Sequence, residues 1–386
     1  MRKVPLIVLG VIISSFVFLS SCKEETNTDP SEKSYPGIES FLNIDVNALA
    51  NYSNQDIPNY YQNLNTNTPI GNQITNMGAT LGRVLFYDKA LSIDNSVSCA
   101  SCHDQSLGFT DTAVLSTGFD GGKTGAHSMR LANAAFYEGI DFFWDRRAPS
   151  LEAQSTMPIQ DPVEMGFDAS NGGIEALIQK MNALAYYPEL FELAFGSTTI
   201  TEERMQDAMA QFMRSMISYN SKFDEGFALA YNPNAPGPGM GVGRDFNNYS
   251  AQENLGKTLF LQPPNNGGGG CAGCHVPPSF SLVAVSRSNG LDGGETTIFK
   301  SPSLKNIGLG GPFMHDGSLE TLEDVVEHYN SGIQDGPALD PRLKPGGVVQ
   351  QLNLTSDEKA ALVAFLETLT DQEINQDPKF STPFKS

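Results

Sequence analysis

Two stretches of the chain decide its fold: Cys99-Ala100-Ser101-Cys102-His103 and Cys271-Ala272-Gly273-Cys274-His275. Both fit the pattern Cys-x-x-Cys-His, by which proteins attach c-type haem. The two thiols add to the two vinyl groups of one porphyrin, and the adjacent imidazole then reaches the iron from the same side. The sequence therefore predicts two covalently bound haem c groups, with His103 and His275 as iron ligands.

A four-cysteine zinc site is the sharpest competing interpretation of the two cysteine pairs. It leaves unexplained why a histidine follows each pair in a chain that has only five histidines. Two disulfides of such short span are a weaker alternative, because small closed loops stabilise little and strain the bridge. Haem attachment is therefore favoured over both alternatives.

The segments that precede the two motifs repeat one another. Leu81-Gly82-Arg83-Val84-Leu85-Phe86 stands 13 residues before Cys99, and Leu255-Gly256-Lys257-Thr258-Leu259-Phe260 stands 11 residues before Cys271. The second copy begins with Ser250-Ala251-Gln252-Glu253, which has the form of a capping box. We therefore expect both copies on helices.

Each half of the chain also ends in a predicted helix. One begins after the cap Thr201, and its apolar residues follow at spacings of three and four: Met205, Ala208, Phe212, Met216 and Tyr219. We interpret the methionines as core rather than as haem ligands, since any packed helix needs such a stripe. The last helix is predicted at 356–369. Strand alternation is scarce, so we predict a mostly α fold of two cytochrome c-like haem domains with long loops.

The start of the chain is typical of an export signal. Arg2 and Lys3 precede an apolar stretch, which small residues connect to Cys22. The stretch is too short to cross a bilayer comfortably, whereas this arrangement marks cleavage and lipidation at the cysteine. We expect a signal peptide at 1–21, a lipid anchor on Cys22, and an exported protein held on a bacterial membrane, in the periplasm or at the outer membrane. A cytosolic protein with a chance apolar start is the alternative.

Composition divides the rest of the chain. Residues 22–70 are rich in Asn, Ser, Thr, Tyr and Pro without sustained apolar periodicity, so we expect a tether and N-terminal extension with a few ordered contacts. A second break lies at 231–248, where prolines alternate with glycines as in a linker. These breaks delimit a first haem domain at 71–230, a second haem domain at 249–370 and a tail at 371–386.

The charge of the chain bears on its partners. Basic residues number 24 against 44 acidic ones, which gives a formal net charge of -20. Nucleic acid is therefore not expected as a partner. An acidic surface would instead steer a small basic redox protein towards it.

Further motifs in both halves are typical of one protein family. The first half carries Phe143-Trp144-Asp145-Arg146-Arg147-Ala148, then Gln154, then Pro158-Ile159-Gln160-Asp161-Pro162-Val163-Glu164-Met165-Gly166. The second half carries Pro302-Ser303-Leu304-Lys305-Asn306-Ile307 and Pro312-Phe313-Met314-His315-Asp316-Gly317. With these motifs the chain resembles, from about residue 75 to 370, the bacterial di-haem cytochrome c peroxidases and their MauG-type relatives.

The resemblance implies roles for three residues of the first half. In the family a tryptophan lies between the haems, and a glutamine and a glutamate at 10 and 20 residues further on line the peroxide pocket; Trp144, Gln154 and Glu164 have these spacings. Trp144 would then carry electrons between the haems, Gln154 would orient peroxide, and Glu164 would move a proton between its oxygens. Without the resemblance, Glu164 would be interpreted as a solvated loop carboxylate and Trp144 as core.

In the second half the resemblance concerns the ligand of the second haem. His315 is expected near the edge of this haem. Where the peroxidases place a methionine ligand, 14 residues further on, this chain has Tyr329, as MauG-type enzymes do. His328 is a rival ligand, but helical geometry points it away from Tyr329. A phenolate stabilises ferric iron and lowers the haem potential, which argues against a scheme that requires prior reduction of the second haem.

The chain departs from the family at two further places. Peroxidases that need reductive activation carry a distal histidine after the first motif, but the corresponding stretch near residues 119–122 has none. His127 is the nearest candidate, yet it falls where the family has a calcium-binding asparagine. We therefore expect an open iron position at the first haem. A calcium ion between the domains would use the carbonyl groups of Gly310 and Pro312.

These features favour one function over two others. We expect a peroxidase, in which the first (peroxidatic) haem domain reduces hydrogen peroxide with electrons relayed by the second (electron-transfer) haem domain. A small c-type cytochrome or a copper protein would be the donor, and the resemblance suggests a homodimer. The alternative is a MauG-like oxidase that stores two oxidising equivalents across both haems and oxidises a protein or an aromatic substrate. A plain electron carrier is disfavoured, because it needs neither Gln154 nor Glu164.

Overall fold

Helices dominate the computed structural model, which describes residues 33–139, 141–235, 240–281 and 286–385. The predicted signal peptide and Cys22 lie outside these residues. The α-helices are α1 (Pro36–Phe41), α2 (Asn59–Gln62), α3 (Asn76–Tyr87), α4 (Cys99–Cys102), α5 (Leu151–Thr156), α6 (Gly173–Asn182), α7 (Tyr186–Phe195), α8 (Glu202–Ser215), α9 (Lys222–Ala230), α10 (Ala251–Leu261), α11 (Leu322–Glu327) and α12 (Ser356–Glu367). Short 3₁₀ helices connect them at Lys89–Leu91, Gln105–Leu107, Ala134–Phe136, Ala169–Asn171, Pro264–Asn266, Cys271–Gly273, Ile307–Leu309, Pro341–Leu343, Pro345–Gly347 and Pro378–Phe380.

The described residues form isolated β-bridges and no longer strand, so the prediction of a mostly α fold is confirmed. Within the same residues, no helix combines the length and the apolar character that a bilayer crossing requires. Long loops connect the helices around both Cys-x-x-Cys-His motifs, as the sequence predicts.

One pair of crossing helices organises each half of the molecule: α3 contacts α8, and α10 contacts α12. Both pairs cross at the glycine of the repeated segment. A Cβ atom on Gly82 would lie 2.0 Å from the Ala208 carbonyl oxygen, and one on Gly256 would lie 1.8 Å from the Ala361 carbonyl oxygen. Only glycine allows so close an approach, so the sequence repeat reflects two equivalent helix crossings.

The predicted caps begin these helices. The Ser250 hydroxyl accepts from the Glu253 N–H at 3.2 Å, and the Glu253 carboxylate accepts from the Ser250 N–H at 2.6 Å, which completes the capping box. Thr201 caps α8 by accepting a backbone N–H at 3.3 Å. Both α8 and α12 end a few residues earlier than predicted.

Two asparagines explain these earlier helix ends. The Asn133 N–H donates to the Met216 carbonyl group at 2.8 Å, and the Asn306 N–H donates to the Leu369 carbonyl group at 3.0 Å. Both asparagines have left-handed backbone angles, with φ of 63° and 64°, which asparagine tolerates better than most residues. The residues after α8 are therefore hydrogen-bonded to the segment 127–133, and those after α12 to the segment 300–306.

The buried apolar residues form two main cores. The first includes Leu81 and Leu85 of α3 with Met205 of α8, and the second includes Phe260 of α10 with Phe365 of α12. Helix α9 belongs to the first predicted domain by sequence, yet its aromatic residues are buried in the second core. The helix therefore joins the two halves.

Residues 35–62 contribute to both cores and are thus packed more extensively than a tether with a few ordered contacts would be. The Glu189 carboxylate on α7 accepts from the Ile38 N–H of α1 at 2.8 Å. Tyr61 is 1% exposed, and its hydroxyl donates to the Pro278 carbonyl group at 2.9 Å. Isolated apolar residues within a polar segment lack the periodicity that would have indicated this packing.

Candidate active site

Each Cys-x-x-Cys-His motif opens onto its own cavity. The smaller cavity is lined by Cys99, Cys102, His103, Gln154, Glu164 and mostly apolar side chains. The larger cavity is lined by Cys271, Cys274, His275, Trp144, His315 and Tyr329 among others. The four cysteines are free, and no group of three His, Cys, Asp or Glu side chains in the described residues could hold a metal ion. The disulfide and zinc alternatives are therefore not supported.

A backbone carbonyl group orients the histidine of each motif. Nδ1 of His103 lies 2.9 Å from the Phe109 oxygen, and Nδ1 of His275 lies 3.1 Å from the Pro302 oxygen. When Nδ1–H donates to a carbonyl group, Nε2 is left free to bind a metal ion. Burial lowers the pKa of both imidazoles, to about 4 for His275, and so favours the neutral form that metal ligation requires.

Two buried phenylalanines hold equivalent, unusual backbone positions behind these histidines. Phe109 and Phe280 are both 0% exposed, with left-handed φ values of 62° and 53°. Such angles are uncommon for bulky residues and occur where the surrounding structure enforces them. The Phe280 oxygen lies 3.4 Å from Nδ1 of His275, in the same relation as Phe109 to His103. The sequence repeat thus extends to Phe109 and Phe280, the residues whose carbonyl groups lie beside the two histidines.

The structure brings Gln154 and Glu164 to the cavity of the first motif. Gln154 lies on α5, which Ser150 caps by accepting the Ala153 N–H at 3.1 Å. Glu164 lies in the loop that follows, where the Asp161 carboxylate accepts its N–H at 3.0 Å. Both residues share the cavity with His103, so the two side chains that the resemblance assigns to one pocket lie in one cavity.

The environment of Glu164 suits a proton-transfer group. Burial, with a smaller contribution from the Asp161 carboxylate, raises the pKa of Glu164 to about 7, while the Arg147 guanidinium opposes the shift. A carboxyl group with a pKa near neutrality can both accept and return a proton under ordinary conditions. A solvated loop carboxylate would not show this shift.

The methionines of α8 divide between core and cavity. Met205 and Met216 are fully buried, as expected of a packed stripe. Met209 and Met213 line the smaller cavity, together with Met165. The sequence interpretation missed these three: Met209 and Met213 lie beside the predicted stripe, and Met165 follows Glu164 in the loop, where nothing in the sequence distinguishes a cavity residue.

His127 lies at the larger cavity and not among the residues that line the smaller one. Its Nδ1 is 3.1 Å from the Ala113 oxygen, and its Nε2 is 3.4 Å from the Thr110 hydroxyl oxygen. Both ring nitrogens thus have protein partners. His127 is therefore not placed to bind an iron in the smaller cavity.

Tyr329 faces the larger cavity, whereas His328 turns elsewhere. The two residues begin a π-helical turn, His328–Gly332, that directly follows α11. Nε2 of His328 lies 3.1 Å from the Asn289 oxygen, and His328 is not among the residues that line the cavity. π-Helical turns often occur at functional sites, because the extra residue reorients a side chain.

Asn289 and Met314 accompany Tyr329 and were not anticipated. The Asn289 side-chain nitrogen lies 3.5 Å from the Tyr329 hydroxyl oxygen and 3.2 Å from the Met314 sulfur. His315, which also lines this cavity, stacks on the Phe299 ring at 3.9 Å. The expected position of His315 beside the second motif is therefore observed.

A short segment, 127–130, separates the two cavities, and we call it the bridge segment. On one side, the Ser128 hydroxyl lies 3.1 Å from Nδ1 of His103. On the other side, Ser128 lines the larger cavity. Trp144 also lines that cavity, and its indole N–H donates to the His127 carbonyl group at 2.7 Å. Trp144 is thus hydrogen-bonded to the segment that contacts the histidine of the first motif.

The predicted calcium ligands do not fit a calcium ion. The Gly310 carbonyl group accepts a hydrogen bond from the Arg130 guanidinium, which brings a positive charge to this oxygen. His127, which by the resemblance replaces a calcium-binding asparagine, has both ring nitrogens within hydrogen-bonding distance of protein oxygens. Calcium requires six to eight oxygen ligands. Within the described residues, no group of three or more His, Cys, Asp or Glu side chains that could hold a metal ion is present.

The larger cavity instead fits a porphyrin. Nε of Arg130 is buried without a hydrogen-bond partner, and Arg130 lines this cavity. Buried donors of this kind are normally satisfied, and a porphyrin carboxylate is a suitable acceptor. The thiols of Cys271 and Cys274 and the oriented imidazole of His275 supply the attachment groups in the same cavity.

Comparisons with known proteins agree with this assignment. Residues 76–230 match the family described as di-haem cytochrome c peroxidase. The methylamine utilization protein MauG of Methylorubrum extorquens is 34% identical over 316 residues, which cover 78% of this chain and 80% of that protein. The cytochrome c551 peroxidase of Nitrosomonas europaea is 29% identical over 322 residues, which cover 79% of this chain and 82% of that protein.

A solved structure extends the similarity to the fold. The crystal structure of a MauG-like protein associated with microbial copper homeostasis superposes with a TM-score of 0.67 at 29% identity, and the match covers 86% of this chain and 99% of that one. The prediction of two c-type haems is thereby confirmed at the level of the family. Because the 34% identity to MauG spans 80% of that relative, the chain belongs to the family of di-haem cytochrome c peroxidases and MauG proteins, and it is an oxidoreductase.

Proposed function

We propose that the protein reduces hydrogen peroxide to water in the smaller cavity, within the peroxidatic haem domain at 71–230. The observation that carries this proposal is the presence of Gln154 and Glu164 beside His103 in that cavity. A haem bound there supplies the site at which peroxide binds and the electrons that reduce it. An electron carrier would need neither side chain.

Glu164 moves the proton on which this reaction depends. As a carboxylate it accepts a proton from one peroxide oxygen, and it returns the proton to the other oxygen, so that the O–O bond breaks and water leaves. Gln154 holds peroxide by hydrogen bonding. Two electrons and two further protons complete the conversion of one peroxide molecule to two water molecules. The raised pKa of Glu164, about 7, supports this role.

Trp144 carries electrons from the larger cavity to the smaller one. Its indole N–H is bonded to the bridge segment, whose Ser128 contacts His103. The electron-transfer haem domain at 249–370 receives the electrons from a small c-type cytochrome or a copper protein. The net charge of -20 favours a basic donor of this kind.

Tyr329 would be the second protein ligand of a haem bound in the larger cavity. Its position there, with Asn289 near its hydroxyl group, supports this assignment. Phenolate ligation also favours a second candidate function, a MauG-like oxidation of a protein or an aromatic substrate, since it lowers the potential of that haem. The similarity to MauG of Methylorubrum extorquens is consistent with this alternative.

The cellular setting follows from the sequence. The protein is exported, its signal peptide is removed at Cys22, and a lipid on this cysteine holds it on a bacterial membrane, in the periplasm or at the outer membrane. The residues between the anchor and α1 connect the lipid to the folded unit. The protein assembles as a homodimer, as the resemblance to the family suggests.

A steady-state assay with defined donors tests the function. Reduced small c-type cytochrome and reduced copper protein are supplied separately with peroxide, and we expect two donor molecules to be oxidised per peroxide consumed. If peroxide is consumed only when a phenol or a tryptophan-containing peptide is present, the MauG-like function is correct instead. Absence of peroxide consumption with all of these substrates contradicts both functions.

A further inference from the structure

Arg130 reaches one of the two carbonyl groups at which a calcium ion was expected, that of Gly310. Its guanidinium donates to the Gly310 carbonyl group, which belongs to the other half of the chain. The same guanidinium lies 5.8 Å from the centre of the Phe313 ring. A residue of the bridge segment therefore contacts the loop that precedes the His315 motif.

The charge of this contact resembles that of a bound cation. A guanidinium is protonated at all physiological pH values, and its N–H groups bind carbonyl oxygens as a metal ion would. No ion pair of Arg130 is found in the part of the chain that the structure describes. The guanidinium therefore contacts the Gly310 carbonyl oxygen and lines the larger cavity, and its charge is not paired with a carboxylate there.

The contact fixes one end of the bridge segment. At the other end, the His127 N–H donates to the His315 carbonyl group at 2.8 Å. Between these two contacts lies Ser128, whose hydroxyl is 3.1 Å from Nδ1 of His103. The position of Ser128 and of the His127 carbonyl group, to which Trp144 is bonded, thus depends on both ends being held.

We infer that Arg130 replaces calcium in this protein, and that its guanidinium holds the bridge segment between the two haems without a divalent ion. Arg130 is accordingly a positioning residue, which acts through Ser128 and His127 rather than on peroxide. The inference concerns the junction between the halves and does not depend on which substrate is oxidised.

The first test measures calcium in the purified wild-type holoprotein. We expect well under one calcium ion per chain after gel filtration. We also expect the low-temperature spin-resonance spectra of both haems and the unfolding temperature to be unchanged by the chelator EGTA or by millimolar calcium chloride. One retained calcium ion per chain, or a change in either readout on chelation, overturns the inference.

The second test changes the guanidinium itself. In Arg130→Gln we expect heterogeneous haem spectra and slower electron equilibration between the haems, because the bridge segment loses the contact that holds one of its ends. Arg130→Lys keeps the charge and should lie between wild type and Arg130→Gln. Arg204, which also donates to a carbonyl group, at 2.7 Å, provides the matched control Arg204→Gln, and its haem spectra should not change. Wild-type spectra and wild-type equilibration in Arg130→Gln contradict the inference.

Discussion

The carbonyl groups of Trp144 and His315 each accept a hydrogen bond from the opposite half of the chain. The Lys300 N–H donates to Trp144 at 2.8 Å, and the His127 N–H donates to His315 at 2.8 Å. The two donors precede Asn306 and Asn133 by the same number of residues. Each half therefore donates one backbone hydrogen bond to the other, and Trp144 and His315 occupy equivalent positions.

The loops that carry these two residues are also equivalent. Each is closed by one antiparallel bridge, Phe142 to Ala148 in the first half and Phe313 to Leu319 in the second. The repeated loop presents an indole in one half and an imidazole in the other, both towards the larger cavity.

Glu164→Gln should abolish peroxide turnover and leave both haems attached. The amide preserves the shape of the side chain but cannot accept the proton, so we expect a loss of at least about 100-fold in kcat. The measurement is steady-state peroxidase activity together with the haem content of the variant. Glu225→Gln, at an exposed position of α9, serves as the control and should retain activity. A retained rate in Glu164→Gln removes this residue from the mechanism.

The pH dependence of kcat should report the charge of Glu164. Its pKa is raised to about 7, so the carboxylate is protonated below this value, and the rate should rise with pH as the group deprotonates. Asp161→Asn removes a charge that raises this pKa and should move the midpoint to lower pH. Arg147→Gln removes a charge that lowers it and should move the midpoint to higher pH. Shifts in the same direction, or none, contradict the assignment.

Tyr329→Met should raise the reduction potential of the second haem. Replacing a phenolate by a thioether removes a ligand that stabilises ferric iron. A potentiometric titration followed by absorbance measures the shift, and the first haem should keep its potential within error. His328→Ala is the matched control, because its neighbouring imidazole bonds to the Asn289 carbonyl group instead. If His328→Ala and not Tyr329→Met changes the ligation, His328 is the ligand.

Gly256→Ala should destabilise the second half. The added methyl group would lie 1.8 Å from a carbonyl oxygen of α12, and relieving such overpacking costs about 1–3 kcal/mol or more. The unfolding temperature and the yield of haem-loaded protein are the measurements. Gly125→Ala provides the control, since no atom lies within 4 Å of its Cβ position. Equal stability of the two variants would show that the helix crossing tolerates a side chain.

Local features of the sequence were sufficient for the framework of the site. The two motifs located the histidines, and the repeat located α3 and α10. These relations depend on residues that are near one another in the chain, so propensity and spacing captured them. Gln154 and Glu164, which share the cavity of His103, were indicated only by the resemblance to the family.

Contacts between distant segments could not be predicted in this way. Asn289 approaches Tyr329 from 40 positions away, and Arg130 reaches Gly310 across 180 positions. Neither residue belongs to a motif, and their roles emerge only when the two halves meet. The packing of Tyr61 in the second core escaped prediction for the same reason.

Rapid mixing of the as-purified ferric holoprotein with peroxide, in the absence of any reductant, tests most directly whether the smaller cavity is open and ready to react. No histidine other than His103 lines this cavity, so we expect an immediate change in the absorbance of the first haem. The same change should be at least about 100-fold slower in Glu164→Gln. A wild-type protein that reacts only after its second haem has been reduced would contradict this account.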